Sequence, residues 1–257
     1  MPGQRMAIAG TLKGRYEEVR ARVEDAARRS GRRPQDVVLV AVTKFAEPDE
    51  IRELIELGHL DFGENKVQQL AQRAAQVQEW LARSSSLRKG NAVESPDLPE
   101  SVRWHMIGRL QRNKVKKAIE CARLIHGIDS LRLAEEIQVA AMRKDLTVDL
   151  LLQVNCSGEA SKQGIAIPAA LHLAEQIDTM VNVRLRGLMT MAPIVENPEE
   201  ARPVFSRLRE CFEDLQQAGV GADHGQFNIL SMGMTNDFEV AISEGANVVR
   251  IGSAIFG

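Results

Sequence analysis

The sequence predicts an α/β protein, a single parallel (β/α)8 barrel of TIM type with an extra N-terminal helix. Three observations carry this. The chain has 257 residues, 44% of them hydrophobic, close to the roughly 250 residues of one such barrel. Apolar, β-branched runs alternate with amphipathic ones, giving about eight strands in βαβ units, the number that closes a barrel. The turn after the first strand, Thr43-Lys44-Phe45-Ala46, lacks the Gly-rich fingerprint of an open doubly wound sheet. One domain is expected over residues 1–257.

Ile8 to Ser30, rich in Arg and Glu, reads as an amphipathic helix closed by Gly31, and Pro34 bars its continuation. The run Val37 to Thr43 is continuous and β-branched, the pattern of a strand buried on both faces. Pro48-Asp49-Glu50 opens a helix that stops at Gly58, with proline early and acids near the positive end of the dipole. His59 to Phe62 is the second strand and Lys66 to Leu81 its helix. Arg83 to Glu100, with Ser, Gly, Asn and Pro, is a surface loop insertion. The alternation then resumes: strands at Val102–Ile107, Leu124–Ile128, Val148–Val154, Val183–Met189, Phe227–Leu230 and Asn247–Ile251. Between them lie helices at Gln111–Glu120, Leu131–Arg143, Pro168–Thr179, Pro198–Ala218 and Asp237–Glu244.

Composition narrows the function. Thirty-three basic and 35 acidic residues leave a net charge of −2, which argues against nucleic acid or an anionic membrane as main partner. No stretch reaches the ~18 apolar residues of a membrane span, and the N-terminus lacks a signal-peptide core. Cys121, Cys156 and Cys211 are odd in number and in no CxxC spacing. Neither a disulfide framework nor a zinc site is expected, and a cytoplasmic, reducing setting is.

Active groups of such barrels sit at the C-terminal ends of the strands. Those ends display Lys44, Gly63-Glu64-Asn65, Gly108, Asn155, Ser157, Thr190, Ser231-Met232-Gly233-Met234 and Gly252-Ser253. Lys44 follows seven residues of buried strand, so its ammonium is expected inside the mouth, in a dry pocket. Desolvation lowers a lysine pKa from about 10.4, and a neutral amine adds to an aldehyde to form an imine. A snorkelling lysine, or an ion pair with Glu64, is the plainer alternative. Ser231, Gly252 and Ser253 put hydroxyls and open backbone where barrels often hold a phosphate. Arg250 lies within the apolar run Val248-Val249-Arg250-Ile251 and must have a partner, an acid or a ligand atom. His105 reads as a packed core histidine, His59 as part of a strand start, and the Arg109 to Lys117 cations as a solvated helix face.

Longer motifs add a resemblance. AVTK at Ala41 to Lys44, FGENKVQ at Phe62 to Gln68 and WHMIGRLQRNK at Trp104 to Lys114 begin it. LLQVN at Leu151, SKQG at Ser161, RGLMTM at Arg186, LSMGMTNDFEVAI at Leu230 and VRIGSAIFG at Val249 complete it. Together these resemble the pyridoxal phosphate homeostasis (proline synthetase co-transcribed) family, whose barrel is similar to the alanine racemase N-terminal domain, the type III pyridoxal phosphate fold. The resemblance implies pyridoxal 5'-phosphate as cofactor, an imine on Lys44, and Arg250 donating to the pyridine nitrogen. It implies Ser231, Gly252 and Ser253 around the phosphate and Asn65 beside the ring. Ser253 stands where threonine is common, and Arg109 and Arg112 replace smaller or more neutral residues.

The resemblance implies a cofactor-holding protein of vitamin B6 homeostasis without turnover, with recipient apoenzymes as transient partners. Electron-sink enzymes generally set a carboxylate at the pyridine nitrogen, and arginine does not give up its proton there. The chain stops at Gly257, without the β domain that supplies the opposing tyrosine in the racemases, and a monomer is expected. Its single tyrosine is Tyr16, far along the chain from Lys44. A pyridoxal phosphate-dependent amino-acid racemase is the alternative. A barrel enzyme using Lys44 on a phosphorylated metabolite is a third.

Overall fold

Thr11 starts the first helix by accepting the Gly14 N–H on its hydroxyl, 3.1 Å away, so α1 runs Leu12–Arg29 with Arg28 and Arg29 in its last turn. Gly31 follows at φ 71°, the left-handed conformation that ends a helix at little cost to glycine. The computed structural model describes residues 10–88, 98–159 and 163–257. The start of the expected first helix, Ile8 and Ala9, lies outside them.

The strands are β1 (Val38–Val42), β2 (Asp61–Glu64), β3 (Arg103–Met106), β4 (Ala122–Ile128), β5 (Val148–Asn155), β6 (Ile165–Ala166), β7 (Val183–Met189), β8 (Ile229–Ser231) and β9 (Val248–Ile251). The helices that follow α1 are α2 (Pro48–Glu56), α3 (Val67–Arg88), α4 (Val115–Cys121), α5 (Leu131–Met142), α6 (Ile167–Asp178), α7 (Arg202–Gln217), α8 (Phe238–Ser243) and α9 (Ser253–Phe256). Strand order is β4-β3-β2-β1-β9-β8-β7-β5, and β4 also pairs with β5, so these eight parallel strands close on themselves. The expected barrel is therefore present. The two-residue β6 pairs with the end of β5 outside the ring.

Two layers of packing follow from the alternation of side chains. Outward residues such as Ala41, Phe62, Ile125, Leu150 and Val249 join Ile51, Leu54, Leu70 and Phe205 of the helices in one large core. Fully burying a Leu, Ile or Phe there contributes about 1.5–3 kcal/mol relative to exposure. Leu124, Leu151 and Met189 form a separate cluster with Ile229. His126, Gln153 and Ser231 lie two residues beyond Leu124, Leu151 and Ile229 on the same strands, so the inner face carries apolar and polar groups together.

Several boundaries shift by a few residues from expectation, and three differences stand out. The second strand spans Asp61–Glu64 rather than His59–Phe62, because the His59 N–H returns to Leu54 O at 2.9 Å and finishes the helix turn first. The segment read as loop from Arg83 is helical to Arg88. An Arg83–Glu79 pair and a Ser86 hydroxyl on Ala82 O support the extra turn; positions 89–97 lie outside the described residues. After β9 the chain forms α9, docked on α1 by Arg15 Nε donating to Ile255 O at 2.8 Å. Among the described residues no helix is long and apolar enough to cross a membrane. Cys121 is half-buried, Cys156 and Cys211 buried, and all three are free thiols.

Candidate functional site

β1 ends at Val42, and Thr43 takes the last buried position, its N–H on Gly63 O at 3.0 Å. The next two residues, Lys44 and Phe45, are exposed, and Ala46 is buried again. Arg73 of α3 clamps this turn: Nη2 donates to Ala46 O at 2.9 Å, and Nη1 donates to Thr43 O. The same guanidinium meets Glu64 Oε1 at 2.9 Å, and the Thr43 hydroxyl donates to that oxygen at 2.6 Å. The fully buried Glu64 thus pairs with Arg73 and Thr43, so the Lys44–Glu64 ion pair is not formed. The Lys44 ammonium sits 4.9 Å from the centre of the Phe45 ring. The dry setting expected for Lys44 is corrected: the strand stops two residues before it, and the turn carries it to an open rim.

That rim encloses a cavity of about 410 Å³, lined by Val42, Lys44, Phe45, Asn65, Ile107, Met191, Pro193, Ile194, Val195, Met234, Thr235, Asn236, Asp237, Arg250, Gly252 and Ser253. The volume suits a small molecule, and apolar walls with a few convergent polar groups are what such sites show. Of the residues singled out in the sequence, Lys44, Asn65, Arg250, Gly252 and Ser253 share this one cavity. Ile194 is 89% exposed and Phe45 75%, so the wall is open on both of these sides.

Two glycines shape it. A Cβ on Gly108 would lie 2.3 Å from Asn65 O, and one on Gly252 would lie 3.1 Å from Val42 O. Gly108 therefore lets the Asn65 loop settle against β3, and Gly252 lets β9 close on β1. Gly252 begins α9, and the Ser253 hydroxyl donates to Thr235 Oγ1 at 3.1 Å. Asp237 folds the turn that delivers Thr235, accepting the Met234 N–H at 2.6 Å. Burial pushes its carboxyl up, against the Met234 bond and the Arg250 charge.

Arg250 lies on the floor, 4% exposed. Nη1 donates to Ser231 Oγ at 2.6 Å and Nη2 to Thr190 O at 2.9 Å. Five N–H groups on a guanidinium leave further donors for the cavity. Burial lowers Arg250 to about 10, opposed by Asp237, so it remains a cation at neutral pH. Ser231, expected at a phosphate, is instead fully buried under Arg250 and does not line the cavity. Thr235, four residues on, lines the cavity instead; sequence reasoning missed it, since its position depends on the turn that Asp237 folds.

Beneath Ser231 lies His126, also missed; Nδ1 is 3.0 Å from Ser231 Oγ. Burial holds this imidazole well below its ordinary range, and the nearby Arg250 charge acts the same way. A histidine inside the apolar run Leu124-Ile125-His126-Gly127-Ile128 was its only signal. His105 is packed in the core as expected, against His126. Asn155 and Ser157 bond to each other rather than line the cavity. Arg109, Arg112, Lys116 and Lys117 are exposed. Among the described residues no metal-ligating cluster occurs.

A family model described as the alanine racemase N-terminal domain matches residues 17–257. The pyridoxal phosphate homeostasis protein of Aquifex aeolicus is 39% identical over 244 residues, covering 95% of this chain and 96% of that one. Among solved structures, an unknown protein from Bifidobacterium adolescentis superposes with TM-score 0.84 at 35% identity, over 97% of this chain and 96% of that one. PipY of Synechococcus elongatus, solved with pyridoxal phosphate bound, gives TM-score 0.70 at 32% identity, over 91% and 100%. A barrel matched along nearly its whole length at such identities is a family relationship, and the chain belongs to the pyridoxal phosphate homeostasis proteins.

Proposed function

We propose that this chain binds pyridoxal 5'-phosphate at the barrel mouth and holds it for cellular cofactor homeostasis without turning over a substrate. The observation that carries the reading is one cavity shared by an accessible primary amine, a buried guanidinium and paired hydroxyls: Lys44, Arg250, Ser253 and Thr235. When bound, the cofactor supplies an aldehyde that condenses with a primary amine. Lys44 is the amine in reach, held on its turn by the Arg73 clamp. The hydroxyls of Ser253 and Thr235, with the backbone at Gly252, suit a phosphate, and Asn65 stands at the ring side. Arg250 offers an N–H to the ring nitrogen and keeps its own proton. Ser231 acts one layer below, on Arg250. PipY, crystallised with pyridoxal phosphate, supports the ligand, and the name of the Aquifex relative supports the role.

Two features favour holding over turnover. A guanidinium at the ring nitrogen does not deliver a proton there, which weakens stabilisation of a carbanion. Among the described lining residues the titratable groups are Lys44, Asp237 and Arg250, and Asp237 is bound into its turn. Proton transfer on both faces of a substrate needs a second positioned acid or base. Tyr16 is instead buried in α1 against His59. In this reading the protein is a single-domain cytoplasmic monomer that releases its cofactor to recipient apoenzymes. Its free thiols suit a reducing compartment.

The purified protein is expected to show a visible absorbance band that borohydride fixes and Lys44→Ala abolishes. Mixed with a recipient apoenzyme, the loaded protein is expected to lose its band as the recipient gains activity. Sustained deuterium exchange at the Cα of an L-amino acid, at enzymatic rates, would replace this reading with racemase-like catalysis.

A further inference from the structure

A column of polar side chains crosses the barrel interior below the cavity, and of its members only Arg250, at the top, lines that cavity. At the bottom Arg103 donates to Asp61 Oδ1 at 2.7 Å and Oδ2 at 2.5 Å. Asp61 Oδ1 lies 3.1 Å from His105 Nε2, and His105 Nδ1 lies 3.0 Å from His126 Nε2. His126 Nδ1 lies 3.0 Å from Ser231 Oγ, which also receives Arg250 Nη1 at 2.6 Å. His105 is 5% exposed, and His126 and Ser231 not at all.

Proton counting gives this column one direction. A carboxylate only accepts and a guanidinium only donates, while a neutral imidazole does one of each. Asp61 therefore calls for a proton on His105 Nε2. A neutral His105 then has its lone pair on Nδ1, so His126 carries its proton on Nε2. That leaves His126 Nδ1 as acceptor for the Ser231 hydroxyl proton, and the Ser231 lone pairs face Arg250. Reversing the order would set the His105 lone pair against the Asp61 carboxylate. A doubly protonated His105 would also reverse it, and would deprive the Ser231 proton of the acceptor that His126 offers. Each bond in such a chain polarises the next, so the Asp61 charge strengthens Ser231 as an acceptor. No carboxylate bonds Arg250 directly among its described contacts, which are Ser231 Oγ and Thr190 O; Asp237 acts electrostatically, with one oxygen on Met234 N–H.

We propose that His126, backed by His105 and Asp61, is a positioning residue for Arg250: it turns Ser231 into a one-way acceptor and so sets which guanidinium N–H groups face the cofactor. The proposal rests on Arg250 as the donor to the bound ring.

Nitrogen-15 NMR of the histidines in the wild-type protein tests the column without any cofactor. Both His105 and His126 are expected neutral with the proton on Nε2; a proton on His126 Nδ1, or an imidazolium at His105, overturns the proposal. Titration of variants with pyridoxal phosphate tests the consequence. His126→Leu and Ser231→Ala are each expected to weaken binding about tenfold, and the double variant little more, since both break one link. His126→Gln, which can accept from Ser231, is expected to recover part of the loss. The visible band should move in His126→Leu in the same direction as in Arg250→Met, a shift that mere loosening of the core would not give. If Arg250→Met leaves affinity and spectrum unchanged, the site reading fails. If Arg250→Met weakens binding and His126→Leu does not, only the positioning role fails. Should His126→Leu not fold, the wild-type NMR decides.

Discussion

Arg250 shows how one residue type at one depth selects chemistry. A lysine there would lose its charge more readily on desolvation, whereas the guanidinium, lowered only to about 10, stays cationic and spreads its donors over Ser231, Thr190 and the cavity. The hydroxyl pair Thr235 and Ser253 makes a separate demand. Thr235→Ala and Ser253→Ala are each expected to weaken pyridoxal phosphate about tenfold while leaving the weaker binding of unphosphorylated pyridoxal unchanged, as read by equilibrium dialysis. Lys44, Asn65, Gly252 and Ser253 were legible in the sequence because each follows a strand run, and Arg250 because it interrupts an apolar one. Thr235 was not, since its position depends on how a turn is folded by Asp237. His126 was not either: its partners come from β3 and β8, and no local pattern announces a contact between strands so distant in sequence.

At the scale of elements, the Arg73 clamp joins α3, β2 and the turn after β1 through a carboxylate without exposure. Removing one partner of a buried ion pair leaves an uncompensated charge and costs about 3 kcal/mol. Arg73→Met is therefore expected to lose roughly that much stability in urea unfolding, and to slow capture of pyridoxal phosphate because the Lys44 turn is freed. Gly108→Ala is expected to displace the Asn65 loop, whose carbonyl occupies the space a Cβ needs, and to weaken binding with little change in Lys44 reactivity. Strand and helix existence was readable from periodicity, and the boundaries that shifted did so for side-chain reasons. A His59 backbone bond delayed β2, and i,i+4 contacts carried α3 into serines that read as loop.

For the whole molecule, the eight-strand closure was the most legible feature, because strand number and alternation are summed over the chain and survive local errors. The polar interior was the least. Its cost appears in the acid limb of stability. Burial lowers His59 from 6.5 to about 4, against the bond to Asp61 O, while Tyr16 contacts its other nitrogen at 3.1 Å. As pH falls from 6.5 toward 4, the unfolded chain takes up the proton first, so the stability present above 6.5 drains away over that interval. His126 adds to the same trend. Thermal melts across this range should show a falling midpoint, and His59→Asn a shallower fall. For Asp61, burial works upward, but bonds from Arg103 and His105 outweigh it and hold the carboxyl well below its usual range. Its contribution persists above the ordinary carboxylate pKa and disappears only in stronger acid.

The exposed Lys44 turn has a consequence for how such a protein behaves in a crowded mixture. A nitrogen at an unguarded rim meets whatever carbonyl compounds diffuse past, and water reaches it as easily. Occupancy will therefore follow the ambient level of the vitamin rather than a gating motion, with discrimination left to the hydroxyls and guanidinium deeper in. Stray aldehydes that lack a phosphate should come and go, while the proper guest lingers.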